Sequence, residues 1–399
     1  MRHTFHLKAL AVAVATLSIA SVASAAGLDR SGQDITAFLQ DGTYAEAVYT
    51  YIDADVTGKD TSGNKIDDIA ESYDFVRYGV KADINDTFSV GVLYDEPFGA
   101  AADYVGESNF VDQNPASPRN GEGTNVEVRT ESITGILGAK LGENKNFQVY
   151  GGPVAQRVQA DVKLRGTAYS AANGYTTHIS ADQDYGWLAG VAYSKPEIAL
   201  KAALTYRSEI EHNAQAFESY PAVAAIPGYA PQSGDIEITT PKSVNFDFQT
   251  GINPTTLATA KVRWVPWSDF AIVPTLYTET SKRSPAYPDG LPLVSYDDDQ
   301  WQVELGLAKR LAPALAVSGT VGWDSGAGNP VTSLGPTEGY YSAGLGAKYN
   351  VTENWAVSAG GKYLWLGDAE GQIPSKAIVS DFENNDGFVL GVKVSYQAQ

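Results

Sequence analysis

Cysteine is absent from the 399 residues, methionine occurs once, and there are only four histidines. Without thiols the chain forms neither a disulfide framework nor a thiolate metal site, and no cofactor or metal is expected. Long apolar runs are also missing beyond the first two dozen residues, so no later segment supplies the roughly 20 apolar residues of a spanning helix. Positive charge is scarce: 28 Lys and Arg against 47 Asp and Glu leave a net charge of −19. Phosphate recognition needs basic patches, so nucleic acid is not an expected partner. Mean hydropathy is −0.20. A membrane barrel tolerates that value, because only alternate residues of each strand meet lipid.

What is present begins with an export address. Arg2 and Lys8 make a basic leader, Ala9 to Ala20 carries no charge, and Ala23-Ser24-Ala25 is a small-x-small cleavage site. Residues 1–25 are read as a signal peptide. Its removal, with Arg2 and Lys8, takes the net charge from −19 to −21.

From about Thr43 onward, short alternating segments are joined by connections that are long and short in strict turn. The short joins are Asn85-Asp86, Gly142 to Lys145, Lys195-Pro196, Asn253-Pro254, Leu311 to Pro313 and Asn350 to Thr352. The long ones run roughly 57–71, 99–124, 167–183, 213–239, 281–298, 325–337 and 367–385. That rhythm predicts an even number of strands, about 14, with both ends of the chain on the short-turn side. Outer-membrane barrels have this asymmetry, with short periplasmic turns and long extracellular loops.

The strands themselves alternate with period two. In 197–209, Ile198, Leu200, Ala202, Leu204 and Tyr206 share one face; Lys201, Ala203, Thr205, Arg207 and Glu209 share the other. Near the end, Phe388, Leu390, Val392, Val394 and Tyr396 oppose Gly387, Gly391, Lys393 and Ser395. The second face carries Gly, Ala and Ser with scattered charges, which suits a confined lumen better than the wet face of a soluble sandwich. Tyr94, Tyr206, Trp264, Trp267, Trp301, Trp323, Tyr349, Trp355 and Tyr363 fall at strand ends, where aromatic girdles form. The expected fold is an all-β transmembrane antiparallel barrel over 43–399. Residues 26–42 do not alternate, and the apolar Ile35, Phe38 and Leu39 predict a short plug in the barrel.

The segments GLDRSG at the mature start, TYAEAVYTYIDADVTG (43–58), YDEPFGAAADY (94–104), DYGWLAGVAYS (184–194), ALTYRSEIEH (203–212), TTPKSVNFDFQTGI (239–252) and GNPVTSLGPTEGYYSAGLGAKY (328–349) resemble, in order, the FadL-type outer-membrane transporters. The resemblance implies a fourteen-strand barrel with an N-terminal hatch in the bacterial outer membrane. It also implies capture of long-chain fatty acids or other hydrophobic molecules, and lateral release through a kink in the third strand. The family's hatch is usually longer and carries Asn-Pro-Ala before the first strand; residues 26–43 contain none, and Asn114-Pro115-Ala116 lies in a long join.

Candidate site residues follow from this chemistry. Phe38 and Leu39 in the plug and Phe217, Tyr220 and Ile226 in the apolar 213–239 join are candidate ligand contacts. For a carboxylate, the lumen-facing candidates are Arg207, Arg157 and Arg263, with Lys201 and Arg165 behind them. Arg207 is first among them, its alternative use being an ion pair with Glu209. Pro97 and Gly99 are candidates for the lateral kink, since Pro interrupts a ladder and Gly permits a bulge. A hydrolase is not expected: no G-x-S-x-G occurs, and of the histidines only His178 and His212 follow the signal. The rival transport reading is a diffusion porin with a cation-favouring lumen. Expected partners are the hydrophobic ligand, outer-membrane lipid and lipopolysaccharide, with the protein acting as a monomer.

Overall fold

The computed structural model describes residues 27–398; the signal peptide expected at residues 1–25 lies outside the described residues. Fourteen antiparallel strands close into a barrel. They are β1 (Thr43–Asp55), β2 (Tyr73–Asp83), β3 in two pieces (Phe88–Asp95 and Gly99–Asp103), β4 (Asn125–Leu141), β5 (Phe147–Lys163) and β6 (Thr176–Lys195). Then come β7 in two pieces (Leu200–Arg207 and Ile210–Ser219), β8 in two pieces (Gln232–Thr240 and Ser243–Asn253), β9 (Thr256–Val265) and β10 (Gln300–Ala312). β11 (Leu315–Asp324), β12 (Tyr340–Asn350), β13 (Trp355–Leu366) and β14 (Asp386–Ala398) complete the wall. β14 pairs with β1 from Thr43↔Ala398 to Asp55↔Asp386, which seals the seam. Closure leaves no sheet edge for lipid to meet, the condition for strands to cross a bilayer.

Alternation sets which side chains meet lipid. Leu345, Val321, Leu307, Leu390 and Leu137 point outward and are exposed. Aromatics form two belts. Tyr78 and Tyr94 (ring centroids 5.9 Å apart), Trp187 and Tyr206 (5.2 Å), and Trp264 and Trp301 (6.4 Å) belong to the loop-side belt. Phe147 with Tyr193 (4.9 Å) and Trp355 with Tyr396 (5.1 Å) belong to the turn-side belt. Trp267 is a correction: it is fully buried under the loops and belongs to neither belt.

Several long joins are shorter than their composition predicts. The 213–239 join contains the upper pieces of β7 and β8 and leaves 220–231 as loop, and the 99–124 join begins with the upper piece of β3. The cause is a reversal of the alternation. Ala203, Thr205 and Arg207 face inward, but beyond Ser208-Glu209 the inward residues are Ile210, His212 and Ala214. β3 reverses at Glu96-Pro97-Phe98 and β8 at Pro241-Lys242 in the same way. A period-two pattern that slips by one residue reads as the end of a strand.

Above the loop-side belt the long joins fold into a cap. Short strands at 58–60, 65–66, 331–332, 369–372 and 378–382 form a five-stranded sheet, and a helix α1 (Thr275–Ser281) packs against the upper pieces of β7 and β8. Tyr104, Phe110, Tyr169, Tyr175, Trp267, Phe270 and Tyr277 bury themselves there in one apolar cluster with the upper wall.

Candidate substrate chamber and its polar plug

Residues 27–42 lie inside the barrel, held by charges from the wall. Asp29 accepts from Nε and Nη2 of Arg263, each at 2.8 Å. Asp34 meets Lys261 at 2.8 Å and Arg77 at 3.7 Å. Asn245 Nδ2 donates to the Gly32 carbonyl at 2.7 Å, and Ser31 Oγ donates to Asp95 Oδ2 at 2.7 Å. At the lower end Lys201 donates to the Leu39 carbonyl. Phe38 sits on Tyr150 (5.7 Å) in the space left by Gly91 and Gly138, where a Cβ would come within 3 Å of its ring.

The plug also reaches the interrupted third strand. The Arg30 amide donates to the Pro97 carbonyl at 2.8 Å, and the Gly99 amide donates to the Leu28 carbonyl at 2.7 Å. Across the barrel wall, β2 and β3 pair only up to Tyr78↔Tyr94 and meet again at the isolated bridge Ala70↔Ala102. Between these points the wall has a gap, and Arg30 fills it. Its guanidinium stacks over the Tyr73 ring at 4.0 Å. Gly99 makes this fit possible, since a Cβ there would lie 2.4 Å from Arg30 Cζ.

Directly inside this kink is an apolar chamber between the plug tip and the cap. One lobe is walled by Leu28, Phe98, Val128, Val158, Ile238 and Trp267. Its neighbour shares Leu28, Val128 and Ile272 and extends to Val162, Tyr296 and Leu334. Threonines are the polar side chains in the first lobe, apart from the indole of Trp267, and no charged residue lines either lobe. Each lobe is narrow, with a cavity of about 10 Å³. A separate polar cavity of about 80 Å³ runs beside the plug along β8 to β13, walled by Asp34, Asp247, Lys261, Glu304 and Lys362.

The cap is tied down by a buried acid. Glu218 accepts from Tyr175 Oη at 2.8 Å and from the Leu276 and Tyr277 amides of α1 at 2.9 Å each. Tyr175 lies 5.5 Å from Tyr220 and 5.0 Å from Tyr277, ring to ring. In the 325–339 loop, burial and then the carboxylates of Asp298 and Asp324 push the Glu338 carboxyl up to about 7.

The residues singled out from the sequence are scattered through this arrangement. Pro97 and Gly99 are at the wall gap. Phe38 and Leu39 are at the lower end of the plug, in a cluster with Tyr150 and Leu188, away from the chamber. Arg263 is occupied by Asp29. Arg207 is buried and reaches Thr134 (3.4 Å) and the Gln33 carbonyl (3.5 Å), so its alternative pairing with Glu209 is corrected: Glu209 lies past the kink, exposed, 3.8 Å from Lys242. Arg157 was expected in the lumen; inward positions of β5 are even-numbered, and its side chain is exposed on the outer face. Arg165 bonds Glu122 in the cap at 2.8 Å. Phe217 points outward and is exposed, Tyr220 is buried among cap tyrosines, and Ile226 is half-buried in the 220–231 loop. Leu28, Arg30 and Tyr73 are not marked as site residues by the sequence, and Trp267 is marked there only as a girdle aromatic. Their meeting is set by contacts between distant segments, and no local pattern marks it.

A plugged fourteen-strand barrel with aromatic belts and an apolar chamber under its loops defines a transporter of the bacterial outer membrane. The sequence profile of the outer membrane protein transport family (OMPP1/FadL/TodX) matches residues 34–397, and the chain belongs to that family. A search of curated protein sequences finds no matching relative. Among solved structures, the fold is similar to that of a Pseudomonas aeruginosa FadL homologue, with a TM-score of 0.69 at 14% identity over 94% of this chain and 96% of that one. The P. putida toluene transporter TodX gives a TM-score of 0.61 at 12% identity, covering 90% and 91%. The Ralstonia pickettii toluene transporter TbuX gives 0.60 at 12%, covering 95% and 98%. At such identities the likeness is one of fold.

Proposed function

We propose that the protein takes up uncharged hydrophobic small molecules, which bind in the chamber under the cap and leave sideways through the β2–β3 gap. The observation that carries this reading is the chamber's lining: apolar, without a charged side chain, and adjoining the interrupted third strand. A long-chain fatty acid would bring a carboxylate to walls that offer it no cation, and burying an unpaired charge is costly. The basic side chains that could pair with a carboxylate hold the plug, bond Glu122 in the cap or face outside. Solved relatives of the same fold include transporters named for toluene, which is a ligand of this type.

A cavity of roughly 150 Å³ lined by aliphatic and aromatic groups takes up benzene. The chamber is smaller, so loading requires the cap to lift or Phe98 and Leu28 to turn. Release then needs Arg30 to leave Tyr73. The protein is read as acting alone, surrounded by lipid and, on the loop side, lipopolysaccharide. Calorimetric titration of the purified barrel with toluene and with oleate tests the substrate class. Saturable toluene binding that oleate does not displace is expected. Tighter binding of oleate would reject the uncharged class.

A further inference from the structure

A second wall gap lies between β6 and β7. The two strands pair at both ends of their contact, Leu200–Arg207 on Leu188–Lys195 and Ser219 to Ala216 on Thr176 to Ile179, in one common register. Between these stretches, among the described residues, the hydrogen bonds from strand to strand are confined to Ser208 and Trp187. The Ser208 amide donates to the Trp187 carbonyl at 2.9 Å, and the Trp187 amide donates to Ser208 Oγ at 3.0 Å. Residues 180–186 and 209–215 otherwise face one another without a ladder.

The cause is a mismatch of pleats. β7 reverses its inward face at Ser208-Glu209, low in the wall. β6 reverses higher, where Ser180-Ala181 bulge opposite Gln159. Above the bulge Thr177 and Ile179 face in; below it Leu188 and Ala192 do. Over the residues between, an inward side chain on one strand opposes an outward one on the other, as His212 opposes Gln183. A ladder needs both partners on the same face. At the β7–β8 contact both strands reverse at one height and the register holds, so the reversal alone does not open a wall.

The inner side of this gap adjoins the chamber. His212 is wholly buried, with Nε2 3.2 Å from Gln156 Oε1. Thr240 Oγ1 donates to that same oxygen at 2.6 Å, and Thr240 lines the chamber beside Val158, Ala160 and Ile238. His212 Nδ1 and Asp182 Oδ2 stand 3.5 Å apart across the gap, and neither makes a hydrogen bond. Behind the gap, Gln156 of β5 therefore ties His212 of β7 to Thr240 of β8 in a thin polar bar that a modest side-chain movement breaks. On the outer side, Tyr185 and Trp187 are exposed at the lip, and Trp187 belongs to the loop-side aromatic belt, at headgroup level.

We propose that the β6–β7 gap is a second lateral port, through which uncharged hydrophobic molecules exchange between the headgroup level of the outer leaflet, at the gap's lower lip, and the chamber, barred at rest by His212, Gln156 and Thr240. This rests on the chamber reading above. It gives the chamber two openings of different chemistry: Arg30 on Tyr73 at β2–β3, and a hydrogen-bonded bar of His212, Gln156 and Thr240 at β6–β7.

The test follows exchange of N-phenyl-1-naphthylamine from the full-length protein in phospholipid vesicles by stopped-flow fluorescence. His212→Ala should speed exchange severalfold, while His212→Gln, which keeps a bar, should leave it near wild type. Because the chain has no cysteine, Gln183→Cys places one thiol on the exposed outer lip. Its modification with a sulfonatoethyl thiosulfonate should slow exchange two- to fivefold, and reductant should restore it, with no change in equilibrium occupancy. The Gln183→Cys arm keeps the port testable even if His212→Ala does not fold. Saturable binding whose exchange rate ignores the lip modification would overturn the port alone. Absence of saturable binding would overturn the chamber and the port with it.

Discussion

Arg263 clasps Asp29 through two parallel hydrogen bonds of 2.8 Å, joining residues 234 positions apart in the chain. Both side chains are almost fully buried, and Asn245 Oδ1 accepts from the same guanidinium at 2.8 Å. Removing one member of such a pair strands the other charge, at a cost of about 3–5 kcal/mol. Arg263→Ala should therefore release the upper plug while the strand ladder holds the barrel. Conductance across planar bilayers reads this directly: wild type stays nearly silent, and Arg263→Ala shows frequent open events. Silence in the variant would mean the plug is held elsewhere.

The β2–β3 gap should be under the control of Arg30. Arg30→Ala removes the guanidinium stacked on Tyr73 and should raise the rate of hydrophobe uptake in whole cells severalfold. Gly99→Val acts oppositely on the same space, because any Cβ at this position collides with Arg30. It should displace the plug tip from Pro97 and cost about 1–3 kcal/mol in stability, as overpacking does. Equal uptake by wild type and Arg30→Ala would remove the gate from this residue.

The wall was legible because its physics is local. Loop lengths and period-two alternation are enough to expect fourteen strands, their direction and a plug at residues 26–42. The openings were less legible. Pro97 and Gly99 mark the first kink with residues that interrupt ladders, but Ser208-Glu209 and Ser180-Ala181 carry no such mark, and the β6–β7 mismatch shows only when two strands are set side by side. Polar lumen residues misled most. Arg207 and Arg263 have the composition of a ligand site, yet their partners are Gln33 and Asp29 of the plug, 174 and 234 residues away.

The chamber's shape should set affinity. Ala160 lies on its wall and is buried. Ala160→Leu fills the lobe between Val158 and Trp267, so toluene affinity should fall about tenfold, which corresponds to about 1.4 kcal/mol. The strand ladder is untouched, and heat-modifiability on gels should stay that of wild type. Unchanged affinity would place the ligand elsewhere.

Glu218 organises the cap as an acceptor for three donors: the Tyr175 hydroxyl and the Leu276 and Tyr277 amides of α1. Glu218→Ala leaves these buried donors unsatisfied, at about 1–3 kcal/mol each if none finds water. Protease should then cut within 266–299 at rates far above wild type, while the barrel resists. Glu218→Gln keeps one acceptor oxygen and should fall between the two. Identical digestion of all three proteins would show that packing among Tyr175, Tyr220 and Tyr277 suffices.

The pH response of the cap should trace to Glu338. Burial, with Asp298 and Asp324 close by, raises its carboxyl to about 7 in the folded protein, above the usual 4.5. The folded state thus holds the proton more tightly than the unfolded one. Stability from this group is fully present below pH 4.5, falls as pH rises through 7, and is gone above it. The side chain is only partly buried, so solvent screening limits the effect to about 1 kcal/mol. Hydrogen exchange at cap amides of 325–339 should quicken between pH 5 and 8 beyond the intrinsic base-catalysed trend. Glu338→Gln should remove that excess and protect the cap at pH 8, because the amide keeps a neutral polar group beside Asp324. An excess that persists in Glu338→Gln would assign the pH response to another group.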